Sequence, residues 1–388
     1  MNKNNLKRQT KIILVANSFW YFYNFRLTFL KDLKNEGYKV VLVAPFDNEY
    51  SNRIKKEGFL INIWKLNRKS INPFRELLSI YFLLKIYSRE KPTFVHHFTI
   101  KACLYGTIAA KFTNIKRVIN AVTGLGHIFL GKTYFSRILR FVLLPVYKKI
   151  FKAKRSITIF QNADDQKMLI NLGLINKEST KLIKGSGVDT NYFKPIMKNK
   201  TCFHDTVKIL FPSRIIYEKG FRELVEALDI LWNKKVSLEL IIAGEIDLNN
   251  PSSLNRKELV NITANPYIQC NGHVENMKEL YSKVDIVVLP SWREGLSRTL
   301  IEAASMELPI ITTDTPGCRD IVSHGITGLL VPINDPKALS LAIQLFIRNQ
   351  ELAIKFGKEA RKKVLDEFQV SIINNETLLQ YRLLLSEN

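Results

Sequence analysis

Apolar, largely β-branched runs alternate with helix-like stretches along the whole chain. In the first half they predict strands at "KIILVAN" (11–17), "YKVVLVAP" (38–45), "FVHHFT" (94–99), "RVINAVT" (117–123) and "SITIFQN" (156–162). The second half restarts with "VKILFPS" (207–213), then "LELIIAGE" (238–245), "YIQCNG" (267–272), "DIVVLPS" (285–291), "PIITTD" (309–314) and "GLLVP" (328–332). Strands that are apolar on both faces, with helices between them, imply parallel sheets covered on both sides. Two such series predict an α/β chain of two doubly wound, Rossmann-like domains. The segment "YFKPIMKNKTCFHD" (192–205) is polar, carries Pro195 and lacks helical period, so it separates the two. The first domain is therefore expected over 1–195 and the second over 196–370. The tail 371–388 reads as an amphipathic helix packing back towards the first domain.

A length of 388 residues with 46% hydrophobic content supports two substantial cores. The longest apolar runs, such as "FVLLPVY" (141–147), fall far short of the ~20 residues that cross a bilayer. The polar start "MNKNNLKRQTK" leads directly into a strand, which predicts no secretory signal and a cytoplasmic protein. Cys103, Cys202, Cys270 and Cys318 are scattered, without zinc-ligand spacing, and read as reduced thiols.

Charge changes the picture by its position. Residues 1–195 hold 35 Lys and Arg against 11 Asp and Glu, a net +24, whereas 196–388 hold 23 against 24, a net −1. The first half should therefore face a polyanion. Within it, "KTYFSRILRFVLLPVYKKIFKAKR" (132–155) has eight basic residues, no acidic one and many large apolar ones. Such a stretch fits an anionic membrane surface, with Arg137, Arg140, Lys148, Lys149 and Lys152 at the headgroups and Phe141, Leu143 and Leu144 dipping in. The alternative is a core helix with a solvated basic face. No nucleic-acid motif is present, and nucleic acid is not an expected partner.

Ligands of doubly wound sheets sit beyond the carboxyl ends of the strands, and three loops there carry suitable groups in the second half. In "FPSRIIYEKGF", Arg214 and Lys219 offer a fork of donors and a point charge, a pair suited to a diphosphate. In "NGHVENMKEL", the turn of Gly272, His273 and Val274 could lie against a flat base. In "REGLSRTLIE", Gly295 permits close approach and the N–H groups from Leu296 and Ser297 onward point at an anion. Glu294 precedes this helix and Glu302 lies inside it. Helical positions eight apart diverge by about 80°, so the pair cannot easily share a metal or a proton. They could grip two ends of one elongated ligand, Glu302 at ribose hydroxyls and Glu294 at a sugar. Alternatively, both are solvated surface carboxylates.

These residues resemble family 4 glycosyltransferases, retaining enzymes of the GT-B fold with the active site in the cleft between two Rossmann-like domains. The resemblance rests on Arg214 with Lys219-Gly220, the Glu294-to-Glu302 motif, "DTPGCRDIVSHGITGLLVP" (314–332) and "IKGSGVDTNYFKP" (183–195). The first half, with "YNFR" (23–26) and "VTGLGHIF" (122–129), is similar to a bacterial branch making capsule, O-antigen and lipid-linked oligosaccharides. Enzymes of the undecaprenyl-diphosphate-bacillosamine N-acetylgalactosaminyltransferase type belong to that branch. The resemblance covers essentially the full chain. It implies a UDP-sugar donor, a polyprenyl-diphosphate-linked acceptor, no cofactor and no metal, and peripheral attachment to the inner face of the cytoplasmic membrane. It assigns Arg214, Lys219, Glu294 and His127 to catalysis and adds Glu302 for the donor. Asn17, Arg26, Thr123 and Gly124 fall on the acceptor side. Many relatives have a glycine pair after the first strand, whereas here the loop reads "NSFWYFYNFR". His127 stands near where relatives place a histidine after the fifth strand.

The resemblance further implies front-face transfer, in which the departing phosphate takes the acceptor hydroxyl's proton. The rivals are a sugar-nucleotide epimerase or phosphorylase of the same fold, and a non-catalytic membrane-bound scaffold. Adjacent His96 and His97 must face opposite sides of a strand and make a poor metal pair. Gly124-Leu125-Gly126 does not extend to a dinucleotide fingerprint, because position 129 is Phe.

Overall fold

The computed structural model describes residues 10–68, 70, 72–125, 144, 145, 147, 148, 150, 151, 156–196, 202–246 and 253–386. The chain divides into two units, Met1–Ser186 with Ile373–Asn388, and Gly187–Ile372.

The first unit is built on a parallel sheet of β1 (Lys11–Val15), β2 (Lys39–Ala44), β3 (Leu60–Ile63), β4 (Phe94–Phe98), β5 (Val118–Val122), β6 (Ser156–Phe160) and β7 (Thr180–Leu182). Their order is β3-β2-β1-β4-β5-β6-β7. Every residue of β4 and β5 is buried, as strands covered on both faces require. The histidines of β4 do face opposite sides. His97 is sealed between the Tyr87 hydroxyl, 2.9 Å from Nε2, and Asn120 Oδ1, 2.7 Å from Nδ1. Across the strand, His96 Nδ1 lies 2.6 Å from the hydroxyl of Tyr381.

Tyr381 belongs to the last helix, Val370–Ser386. Its ring packs edge-on against Phe94 and Phe29, and Asn374 Nδ2 donates to Asp32 Oδ2 at 2.6 Å. The tail thus closes one apolar layer of the first unit. On the sheet's other face, helix Pro73–Glu90 is started by Asn72, whose side chain accepts from the N–H groups of Phe74 and Arg75.

The second unit holds β8 (Val207–Phe211), β9 (Leu238–Ile242), β10 (Ile268–Cys270), β11 (Ile286–Leu289), β12 (Ile310–Thr313) and β13 (Leu329–Val331). All pair in parallel in the order β10-β9-β8-β11-β12-β13 around a continuous core. Strand order therefore reverses between β8 and β11, which opens a crevice between the loops that follow them.

Candidate active site

The loop after β8 carries Arg214, exposed, and then a single 3-10 turn, Tyr217–Lys219. Gly220 ends that turn at φ +70° and starts helix Phe221–Asn233. A Cβ there would lie 2.0 Å from the carbonyl oxygen of Pro290, so only glycine lets this turn lie against the end of β11. The two loops are also stitched together directly. Trp292 N and the Ser291 hydroxyl both donate to Glu218 O, at 2.9 and 3.1 Å.

This stitching brings Lys219 to Glu294. The ammonium donates to Glu294 Oε1, and both side chains are largely screened from solvent. Glu294 is held from behind by the loop after β12. Its N–H donates to Pro316 O at 3.1 Å, and a Cβ on Gly317 (φ +78°) would sit 2.5 Å from Glu294 O. The backbone of Glu294 is therefore held through both its N–H and its carbonyl, and its carboxylate by Lys219.

Ser297 begins helix Arg298–Ser305 without capping it by its side chain, which contacts Thr299 Oγ1 at 3.2 Å. Glu302 is 7% exposed, with Oε1 2.7 Å from Arg298 Nε and Oε2 3.4 Å from the Tyr281 hydroxyl. Burial raises its pKa above the ordinary carboxyl value, opposed by the Arg298 guanidinium. Burial and then the Glu302 charge push the Tyr281 phenol well up, so Tyr281 stays a hydroxyl donor. Buried Cys318 has its thiol pushed up to about 11 by burial and by Glu294, which leaves it without nucleophilic thiolate.

The structure brings Lys219 and Glu294 into contact and places Glu302 inside the helix that follows. Gly272, at φ +61°, and Val274 are half-buried beyond the end of β10, and His273 is exposed. Gly295 and Leu296 are half-buried, with Leu296 packed on the core. Sequence reasoning missed Tyr281 and Arg298. The i,i+4 spacing of Arg298 and Glu302 was a usable signal, whereas nothing near Tyr281 pointed 21 positions ahead.

In the first unit, Asn17 and Thr123–Gly124 follow β1 and β5, on either side of β4 in the sheet, and Arg26 is buried. His127, Arg137, Arg140, Phe141, Leu143, Lys149 and Lys152 lie outside the described residues. Lys148 is exposed, while Tyr147, Ile150 and Phe151 are buried against Cys103, Leu104 and Leu169. Leu144, expected to dip into lipid, instead packs half-buried on this cluster, so part of the basic stretch has a core face. Among the described residues no helix is long and apolar enough to cross a membrane, and no group of His, Cys, Asp and Glu could hold a metal ion.

Residues 193–363 match the family model "Glycosyl transferases group 1", and residues 11–162 match "Glycosyl transferase 4-like". The capsular polysaccharide biosynthesis glycosyltransferase CapM of Staphylococcus aureus is 30% identical over 331 residues, covering 83% of this chain and 84% of that one. The chain belongs to this glycosyltransferase family. A second relative of the glycosyltransferase is N,N'-diacetylbacillosaminyl-diphospho-undecaprenol alpha-1,3-N-acetylgalactosaminyltransferase of Campylobacter jejuni. It is 28% identical over 368 residues, covering 92% of this chain and 95% of its own. Among solved structures, a Rickettsia africae glycosyltransferase aligns with a TM-score of 0.77 at 23% identity, covering 98% of this chain and 99% of that one. Anabaena HepE, solved in complex with UDP and glucose, aligns at 0.79 and 16%, covering 96% and 100%. These likenesses give the glycosyltransferase the GT-B fold of two Rossmann-like domains.

Proposed function

We propose that the glycosyltransferase moves a hexose or N-acetylhexosamine from a UDP-sugar to a polyprenyl-diphosphate-linked saccharide, with retention at the anomeric carbon. The observation that carries this reading is the contact of Lys219 with Glu294, which ties the loop after β8, where Arg214 lies, to the loop after β11 that leads into the helix of Glu302, at the point where the second sheet reverses its order. Arg214 and Lys219 take the donor diphosphate, and the first N–H groups of helix Arg298–Ser305 add a third positive element for charge growing on the leaving group. Glu302, presented by Arg298 and Tyr281, accepts from ribose hydroxyls, and Glu294 orients the transferred sugar. The turn at Gly272, His273 and Val274 lies against the base. The departing phosphate takes the acceptor hydroxyl's proton, so the chain's own work is orientation and charge stabilisation. It needs no cofactor or metal ion.

The relatives named above support the acceptor class. One acts on a diphospho-undecaprenol-linked saccharide and the other on capsular polysaccharide biosynthesis. Asn17, Arg26, Thr123 and Gly124 are the acceptor-side positions in this reading, with His127 beyond them. The enzyme works from the cytoplasmic face, attached peripherally through its basic first half.

The test is a panel of labelled UDP-GalNAc, UDP-GlcNAc, UDP-Gal, UDP-Glc and GDP-Man, each with and without lipid-diphosphate acceptors. Acceptor-dependent product from a UDP-sugar is expected. Acceptor-free isomerisation would instead make the protein an epimerase, and inertness towards every donor would leave a scaffold.

A further inference from the structure

A guanidinium removed from water is stable only when an opposite charge or a set of acceptors replaces its hydration. Arg26 is 4% exposed. It closes a π-helical turn, Phe22–Arg26, set between the short helix Phe19–Tyr21 and helix Leu27–Asn35. Such turns are rare and gather at functional sites. Arg26 Nε donates to the Tyr21 hydroxyl at 3.2 Å, and Cζ lies 4.8 Å from the Phe98 ring centre and 6.0 Å from that of Tyr21. These contacts use one N–H and the face of the ion. Among the described residues no carboxylate pairs with Arg26, and its two terminal nitrogens, which are not wholly sealed from solvent, have no protein acceptor.

Two further polar groups nearby in the fold lack partners. His96 is on β4 two residues before Phe98, and its Nε2 is buried and unpartnered. Burial, and then the charge of Arg26, holds its pKa well below the ordinary range, so it is neutral. Thr99 follows Phe98 with φ 74° and ψ 153°, a conformation otherwise reserved for glycine, and its buried Oγ1 has no partner. Thr99 starts helix Ile100–Phe112 without capping it, so the first N–H groups of that helix also want acceptors. β1 and β4 are neighbours where the order of the first sheet reverses, the position at which such sheets take a ligand.

We propose that this edge binds a diphosphate-class anion, gripped through the terminal nitrogens of Arg26, and that the anion is the diphosphate of the polyprenyl-linked acceptor. The second half of this inference rests on the proposed function. The planar fork matches two phosphate oxygens, and an anion supplies the charge that the protein withholds from the buried cation.

The test uses the full chain saturated with UDP, so that a donor site is occupied, titrated by calorimetry with inorganic pyrophosphate and with farnesyl diphosphate. Binding of both is expected, with farnesyl diphosphate the tighter by about tenfold or more. Arg26→Met should weaken both by about tenfold or more and leave UDP affinity unchanged, and Arg26→Lys should fall between, because it keeps the charge and loses the fork. Should Arg26→Met fail to fold, Tyr21→Phe decides. It removes only the hydroxyl that holds Nε and should weaken diphosphate several-fold. No diphosphate binding to the UDP-saturated protein, or a folded Arg26→Met that binds like the parent, overturns the site. Equal affinity for the two probes overturns the lipid assignment. Absence of UDP binding beside intact diphosphate binding strikes the donor reading and spares this one.

Discussion

The ammonium of Lys219 is hydrogen-bonded to the carboxylate of Glu294, 75 positions later in the chain. One lies after β8 and the other after β11, so the contact exists only because those strands are neighbours. Each residue orients the other, and the two should act as a unit. Lys219→Ala and Glu294→Ala should each depress sugar transfer, and the double variant should lose much less than the product of the two losses. Coupling between contacting residues is typically about 0.5–3 kcal/mol. Independent, multiplicative losses in kcat/KM would count against the pair.

Arg214→Ala should lower transfer by about a hundredfold, on the scale of ~3 kcal/mol for a lost preorganised charge contact. Arg214 is exposed, so thermal unfolding should hardly change. Near-normal turnover in this variant would remove Arg214 from the donor site.

The two glutamates should fail differently. Glu302→Ala should weaken UDP alone, measured by calorimetry. Glu294→Ala should leave UDP affinity almost unchanged and reduce turnover. Equal losses of UDP affinity would contradict their division between ribose and sugar.

Acid should expose Glu302 as well. Burial raises its pKa, so it takes up a proton at a higher pH than an ordinary carboxyl as the solution is acidified. A protonated Glu302 accepts less well from ribose hydroxyls. UDP affinity should therefore fall on acidification earlier than in Glu302→Gln, whose residual profile reports the nucleotide's own phosphate. The stability term has a matching sign. A raised folded-state pKa stabilises the fold below the unfolded value, and that contribution disappears as pH rises through the folded one. Parallel pH profiles of UDP affinity in parent and Glu302→Gln would exclude this role.

Binding to anionic vesicles should fall steeply with salt and vanish on neutral ones, because each basic residue near such a surface contributes about 1 kcal/mol within a Debye length. Changing Arg137, Arg140 and Lys149 to Glu should abolish co-sedimentation and spare UDP binding. Normal sedimentation of that variant would leave the stretch as a helix with a solvated basic face.

The strands buried on both faces were legible because burial writes itself as near-continuous apolar runs, unbroken over Val40–Ala44 of β2 and in β11. β3 and β7 were not. Leu60 and Leu182 are exposed at or near the sheet's two margins, and such short strands carry no pattern apart from their pairing partner. The residues proposed for the donor could be picked out because they lie on the segments that follow two strand ends. The Tyr281–Glu302 contact and the π turn at Arg26 could not, since one depends on helix placement and the other on a backbone register without sequence signature.

The tail helix has a consequence for synthesis. Tyr381, which fills the layer over Phe94 and Phe29, leaves the ribosome only after the whole second unit, whereas those partners leave before it. The second unit is in effect inserted into the first. It can mature on the ribosome while the first waits, its apolar layer uncovered, until the tail helix emerges. An early stop codon that spares all of 1–372 should therefore cripple the half of the enzyme that was made first, and its product should be a substrate for proteases.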